Sequence, residues 1–495
     1  MGWLAEYPAV VTRPVPPLQA LHAARDAAVA RLLVEHPVLS EVGERFARAG
    51  FEVDLVGGSV RDAVLTRPIV DLDFATDARP EQMIPLLSGW ADAVWDVGAR
   101  FGTVGAQRGD LQLEFTTYRA DRYESDSRKP QVEYAADLLS DLGRRDFTVN
   151  AMALRLSDNA FIDPFDGLLD LARKRLRTPG SAQDSFSDDP LRMLRAARFA
   201  SQLGMTVDPE AVEAMADMAE RIDVVSAERI RDELVKLVLS PQPRKGLELL
   251  VDTRLCHRFL PELPALSLEI DEHHRHKDVY EHTLTVLDQA VALETAHQPA
   301  MEPDFVLRFA ALMHDVGKPR TRRHEPGGGV SFHHHEVVGA KITRKRMQAL
   351  RFDTRTIDQV CTLVALHLRF HGYGSGEWTD AAVRRYARDA GDQLLRLHKL
   401  TRADSTTRNK RKAAALQRTY DHLEQRIATL AEAEELAAVR PDLDGHQIMQ
   451  ILGIGPGRQV GQAYNHLLEV RLERGPMTEQ EATAELWRWW REQQG

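Results

Sequence analysis

The run Ile69–Thr76 sets carboxylates and bulky apolar side chains in alternation: Val70, Leu72 and Phe74 interleave with Asp71 and Asp73. Side chains at i and i+2 of a strand share a face. The run therefore predicts a half-buried β-strand with both carboxylates on one side and an apolar face behind them. A solvated strand edge would show the same alternation. Two carboxylates this close repel unless a positive charge lies between them. Mg²⁺ suits that position, because it takes one or two carboxylates together with substrate phosphate oxygens.

A second feature lies just upstream. Phe51–Val56 reads as a short strand and runs into Gly57-Gly58-Ser59-Val60-Arg61-Asp62. Paired glycines let backbone N–H groups approach an anion closely, Ser59 adds a hydroxyl donor, and Arg61 can grip phosphate oxygens in a planar fork. By itself a Gly-Gly pair is more often a plain tight turn. Downstream, Leu111–Arg119 reads as another strand and offers Glu114 as a third carboxylate. A loop for phosphates and a carboxylate cluster are the two parts that two-metal phosphoryl transfer requires: one ion activates a 3′-hydroxyl, the other steadies leaving pyrophosphate.

The 495 residues exceed one core and predict several domains. With 64 basic and 74 acidic residues the net charge is −10, which excludes a general polycation but not a local anion-binding face. The two cysteines, Cys256 and Cys361, form no metal-binding or disulfide pattern, in keeping with a reducing cytosol. The N-terminus lacks the basic and apolar regions of a secretory signal, and no apolar run reaches the ~20 residues that span a bilayer. A cytoplasmic protein with no membrane partner is expected.

The pattern along the chain predicts an α+β fold: a small mixed-sheet head, then a mostly helical neck, bundle and tail. The expected divisions are an N-terminal extension (1–45), a head (46–175), a helical neck (176–265), a histidine-rich helical domain (266–406) and a charged helical tail (407–495). In the neck, Leu191, Leu194, Phe199 and Leu203 supply helical apolar spacing. Arg408, Lys410, Arg411 and Lys412 form a basic run at the start of the tail.

The ordered motifs GGSVRD (57–62), DLDFAT (71–76), RRDFTVNAMAL (144–154), FDGLLDL (165–171) and DDPLRMLRAARF (188–199) resemble those of the class II nucleotidyltransferases. That family comprises CCA-adding tRNA nucleotidyltransferases and bacterial poly(A) polymerases, and the resemblance covers about residues 50–260. It implies that Asp71 and Asp73 bind Mg²⁺ and that Gly57, Gly58 and Arg61 hold a triphosphate. It further implies that Arg145, Asp146 and Asn150 meet the incoming nucleotide around its sugar, and that Asp189 and Arg192 read its base edge. An acceptor and a bidentate donor one helical turn apart can meet the Watson–Crick edge of A or C without a template. Asp189-Pro190 equally suits a helix start, with an acidic cap followed by proline. Arg195 is a candidate phosphate contact or part of a solvated basic face.

A second constellation lies further on. His314-Asp315 sits within an apolar helical run, with His282 upstream and His335, His367 and Asp404 downstream. A lone His-Asp pair is more often an internal hydrogen bond, but six such residues can converge in a helical bundle on a divalent ion. Residues 278–406 resemble the HD-domain metal-dependent phosphohydrolases. The match implies His282, His314, Asp315 and Asp404 as metal ligands, His335 and His367 as ligands for a second ion, and Lys318 in the motif HDxGK. His333 and His334 are expected at the surface, as are His273, His274 and His276.

The reading that follows is addition of CCA to a tRNA 3′ end from CTP and ATP, with an HD phosphohydrolase activity beside it and the tail gripping tRNA phosphates. A poly(A) polymerase would share every catalytic residue. An HD phosphohydrolase with a non-catalytic, RNA-binding N-terminal half is the alternative of another class.

Overall fold

The computed structural model describes residues 17–69, 71–119, 137–268, 278–326, 330–373, 378–407, 409–434 and 440–494. Val70, His273, His274, His276 and Arg408 lie outside the described residues. The chain divides into two compact units, residues 1–259 and 260–495.

The first unit opens with α1 (Leu18–Glu35) and α2 (Val38–Arg48), separated at Pro37. The expected head boundary at residue 45 falls inside α2. Its Val42 and Phe46 are fully buried, and Phe46 stacks on Phe115 with ring centroids 5.5 Å apart. There follow β1 (Val53–Val56), α3 (Gly58–Val64), β2 (Asp71–Thr76), α4 (Pro80–Leu87), β3 (Ala93–Trp95), β4 (Thr103–Arg108) and β5 (Leu111–Thr117). Then come α5 (Leu138–Gly143), β6 (Ala153–Arg155) and β7 (Phe161–Ile162). The seven strands form one sheet in the order β3-β4-β5-β2-β1-β6-β7. Only the central β2–β5 pair is parallel. This is the mixed-sheet head that the sequence predicts.

Register explains the two faces of the sheet. Leu72 and Phe74 point to one side, where Phe74 stacks on Phe115 at 4.6 Å. On the other side, Val56, Ala75, Tyr118 and Ala153 are covered by Leu138 and Leu142 of α5. That cover ends before the start of β2, so Asp71 and Asp73 lie on an open part of the same face.

The neck runs through α6 (Gly167–Arg173), α7 (Ala182–Asp188), α8 (Leu191–Leu203), α9 (Pro209–Asp217), α10 (Ala227–Val238), α11 (Pro243–Asp252) and α12 (Cys256–Phe259). Leu191, Leu194, Phe199 and Leu203 of α8 are all buried.

The second unit is helical. It comprises α13 (Val279–Ala296), α14 (Phe305–Met313), α15 (Lys318–Thr321), α16 (His335–Ala349), α17 (Thr354–Leu366), α18 (Asp380–Ala390) and α19 (Leu394–Asp404). The tail continues as α20 (Lys410–Glu434), α21 (Gly445–Leu452), α22 (Arg458–Arg474) and α23 (Glu479–Gln494). Its last three helices close on Ile448, Leu467 and Leu486, with Trp489 and Trp490 packed alongside. Among the described residues no helix is long and apolar enough to cross a membrane.

Candidate active site and metal centre

The carboxylates on the sheet are placed by pairing register. Asp73 on β2 lies directly opposite Glu114 on β5, and Asp71 opposite Gln112. Asp71, Asp73 and Glu114 line one cavity of about 550 Å³. Burial pushes the Asp73 carboxyl up to about 6, helped by Glu114 and Asp71 and opposed by Arg145. The cluster thus carries more like charge than its arginine offsets, a condition that a divalent cation relieves.

Gly57 joins β1 to α3 with φ +73° and ψ −129°, a conformation that favours glycine. A side chain there would also meet Nη1 of Arg145 at 2.8 Å. Gly57 thereby brings Arg145 beside the loop expected to hold the triphosphate. Arg145 is itself fixed through Nη2 to Asp141 Oδ2 at 3.0 Å.

Two residues of the loop are used differently from the expectation. Ser59 donates its hydroxyl to the carbonyl of Asp71 at 2.9 Å and so ties the loop to the carboxylate strand instead of offering it to an anion. Arg61 is buried, with Nε and Nη2 on both oxygens of its neighbour Asp62 and Nη1 on Asn150 Oδ1 at 2.6 Å. Its planar fork is closed onto the protein rather than open to phosphate. The adjacent carboxylate, visible in the sequence as Arg61-Asp62, is the physical reason.

Asn150 continues inward by donating to Asp146 Oδ1 at 2.9 Å. The other oxygen of Asp146 takes Arg195, whose Nε lies at 2.8 Å. Burial would raise the Asp146 carboxyl, but Arg195 and Asn150 hold it down at about 2. Arg195 therefore belongs to an internal ion pair and not to a solvated basic face. Glu233 of α10 extends the chain, with Arg198 Nε 2.7 Å from its Oε2.

The expected base readers, Asp189 and Arg192, flank the start of α8. Asp189 accepts the Leu191 N–H through Oδ1 at 3.1 Å, which is the helix-start role, and Arg229 Nη2 through Oδ2 at 2.8 Å. Arg192 donates to Ser185 Oγ at 2.9 Å and to the carbonyl of Arg144. Sequence reasoning did not single out Asp141, Ser185, Arg229 or Glu233. Only Asp141, four residues before Arg145 and just ahead of the end of α5, left a readable signal.

In the second unit the six expected residues converge as two triads, His282–His314–Asp404 and Asp315–His335–His367, each with ligand atoms within 4.8 Å of one another. Three of the imidazoles are held alike. Nδ1 of His314, His335 and His367 lies 2.8, 2.8 and 2.7 Å from the carbonyls of Ala311, Phe332 and Val364. A proton on each Nδ1 leaves Nε2 as a lone pair facing the centre. The Nε2 atoms of His314 and His335 each lie 3.2 Å from a carboxylate oxygen of Asp315. All three Nε2 atoms are buried and face the carboxylate of Asp315 or one another rather than water. Lone pairs facing one another in a dry interior suit a divalent cation between them. Lys318 Nζ lies 2.9 Å from Asp315 Oδ2, and His333 and His334 are exposed as expected.

Comparison with known proteins assigns the regions of the chain that carry the two clusters. Residues 53–177 match the poly A polymerase head domain, 204–266 the probable RNA and SrmB-binding site of polymerase A, and 279–409 the HD domain. The chain is 33% identical to the A-adding tRNA nucleotidyltransferase of Deinococcus radiodurans over 449 residues, 89% of this chain and 96% of that one. It is 42% identical to the CCA-adding enzyme of Lactobacillus johnsonii over 220 residues, 44% of this chain; this spans about half, 53%, of that relative's length. Among solved structures, the Bacillus stearothermophilus CCA-adding enzyme in complex with CTP superposes with a TM-score of 0.62 at 23% identity, covering 92% of this chain and 97% of that one. The Thermotoga maritima CCA-adding enzyme complexed with tRNA-CCA gives 0.59 at 18%, with the same coverage. At these identities the two structures share the fold. The near full-length match to the Deinococcus relative carries the family: this chain belongs to the class II nucleotidyltransferases, the family of CCA-adding tRNA nucleotidyltransferases and bacterial poly(A) polymerases, with an HD domain following the head and neck.

Proposed function

We propose that the chain adds CCA to the 3′ end of tRNA, without a nucleic-acid template, from CTP and ATP with release of pyrophosphate. The observation that carries the reading is Asp73 standing opposite Glu114, with Asp71 beside it and tied to the Gly57-Gly58 turn through Ser59. Mg²⁺ held by Asp71 and Asp73 would supply Lewis-acid chemistry at the attacking 3′-hydroxyl and the departing phosphates. The N–H groups after Gly57 and the guanidinium of Arg145 approach the triphosphate. Asp146, Asn150 and Arg61 form the buried support beneath the sugar, and Asp189 with Arg192 reads the base edge.

A second reading has a specific observation behind it: the relative matched over nearly its whole length is A-adding, whereas the CCA-adding relative aligns over about half of its own. Addition of the terminal A alone uses the same carboxylates. Purified protein, given tRNA lacking CCA or only its final A, with CTP and ATP separately and together, decides the matter. End-sequencing that finds CCA on the first substrate supports the main reading. Extension of only the second supports A addition. ATP ladders on arbitrary RNA point to a poly(A) polymerase, and no incorporation at all overturns the proposal.

At the HD site we propose one or two divalent ions, held by His282, His314, Asp315 and Asp404 with His335 and His367, that serve phosphohydrolysis. A cytosolic setting fits the free thiols of Cys256 and Cys361.

A further inference from the structure

Four residues stand in one row across the head sheet: Trp95 on β3 pairs with Gly105 on β4, Gly105 with Glu114 on β5, and Glu114 with Asp73 on β2. Directly paired residues present their side chains to the same face, so the indole of Trp95 shares the face of the carboxylates. Gly105 makes room for it. A Cβ at that position would overlap the indole ring, so the ring lies close over the β4 backbone and directs its other face outward. Trp95 remains 39% exposed.

Two further apolar side chains gather there. Val97 is 84% and Phe101 40% exposed. Trp95, Val97 and Phe101 are three of the nine exposed large hydrophobics among the described residues. All three line the cavity that holds Asp71, Asp73 and Glu114, and Arg119 adds a cation to its wall. Partly exposed aromatic rings beside clustered carboxylates form an uncommon surface, since water and ions are favoured there. A ring with one open face next to a cation is how proteins hold unpaired nucleotides, by stacking the base and attracting the phosphate.

The sheet order identifies which nucleotide. Gly57, Arg61, Asn150 and Asp146 all belong to the β1–β6 side of the carboxylates, and the base readers on α8 join them through Arg195 and Asp146. Trp95 and Phe101 lie on the opposite, β3–β4 side. A donor triphosphate on the first side leaves the second for the RNA that supplies the attacking hydroxyl. Resting on the nucleotidyltransferase reading, we propose that Trp95 and Phe101 form the platform on which the 3′-terminal base of the acceptor RNA stacks, setting its ribose hydroxyl over Asp71 and Asp73.

The test is steady-state incorporation by the full chain, varying acceptor RNA at saturating nucleotide and the reverse. A lost base–aromatic stack corresponds to about tenfold in affinity or more. Trp95→Ala is expected to raise the RNA KM by about tenfold and leave the nucleotide KM within about twofold, and Trp95→Phe to restore most of the loss. An acceptor with an abasic terminal nucleotide should bind wild type about tenfold more weakly than the intact acceptor, and bind Trp95→Ala no worse than intact acceptor does. Equal binding of abasic and intact acceptor by wild type overturns the platform even if a variant fails to fold. So does a rise confined to the nucleotide KM, which would assign the rings to the triphosphate substrate. Wild type that incorporates nothing defeats the functional reading instead, and so is distinguished from either result.

Discussion

Asp189 receives the guanidinium of Arg229 at 2.8 Å on Oδ2 while its Oδ1 accepts the Leu191 N–H at 3.1 Å. Both oxygens expected to meet a base are thus oriented by the protein itself. On the proposed reading, Arg229 sets the angle of that carboxylate and would compete with a base for it. Arg229→Ala is expected to relax base choice, raising incorporation of UTP relative to CTP by about tenfold, on the order of one displaced charged hydrogen bond. Arg229 is 53% exposed, so the pair contributes under ~1 kcal/mol to stability and the melting temperature should barely move. Competition assays with paired nucleotides give the ratio; an unchanged ratio would remove Arg229 from base selection.

Asp141 is 1% exposed and binds two arginines at once, Arg144 at 2.8 Å and Arg145 at 3.0 Å. Removing its charge takes a shared buried counter-ion from both guanidinium groups. Asp141→Asn is expected to cost about 2–3 kcal/mol in urea unfolding, below the ~3–5 kcal/mol of a fully buried pair because both arginines reach solvent. The nucleotide KM should rise as well, since Arg145 loses its fixed place beside Gly57. A loss of stability with unchanged nucleotide KM would make Asp141 purely structural.

Asp54 gives a pH-dependent prediction of opposite sign to the usual carboxylate. It is fully buried under the hydroxyl of Tyr118, 2.6 Å away, and burial pushes it from 3.8 up to about 6. The folded protein therefore binds this proton more tightly than the unfolded chain does. The charged form carries a stability cost above pH 6 that is relieved as pH falls from 6 toward 4. Asp54→Asn, which retains an oxygen for Tyr118, should stabilise the protein by up to about 3 kcal/mol at pH 8 and by almost nothing at pH 4. Denaturation curves at the two pH values decide it, and an equal difference at both would sink the argument.

The two proposed metal sites should be separable by mutation. Asp73→Asn is expected to lower nucleotide incorporation by about 10³-fold. His367→Ala should leave incorporation intact while reducing the divalent metal retained by the purified protein, read by elemental analysis. Parallel loss of incorporation in His367→Ala would tie the second centre to the first reaction.

The sheet was legible because its strands are short and patterned. Val53–Val56, Asp71–Thr76 and Leu111–Thr117 all lie where alternation and turn residues placed them. Asp71 and Asp73 shared a face for the reason their spacing implied. Hydrogen-bond allegiance was not legible, because it depends on which partners the folded chain brings within reach of each side chain. Arg61 found Asp62 next to it, Ser59 found a carbonyl twelve residues on, and Arg195 found Asp146 across the fold. The boundary at residue 45 cut α2 because Pro37, not residue 45, is where the helical pattern breaks. Trp95 was silent in sequence, since only register reveals that a glycine lies opposite it.

The three histidines anchored at helix ends share one short-range design: each imidazole closes back onto the carbonyl three positions earlier. The aim of every ring is then written within four consecutive residues, independent of the long-range assembly that brings the rings together. Drift in distant parts of the bundle can shift the distances between these rings but cannot turn any one of them aside. A divalent ion entering the proposed centre would meet imidazoles already aimed, so little side-chain entropy would be lost on binding it.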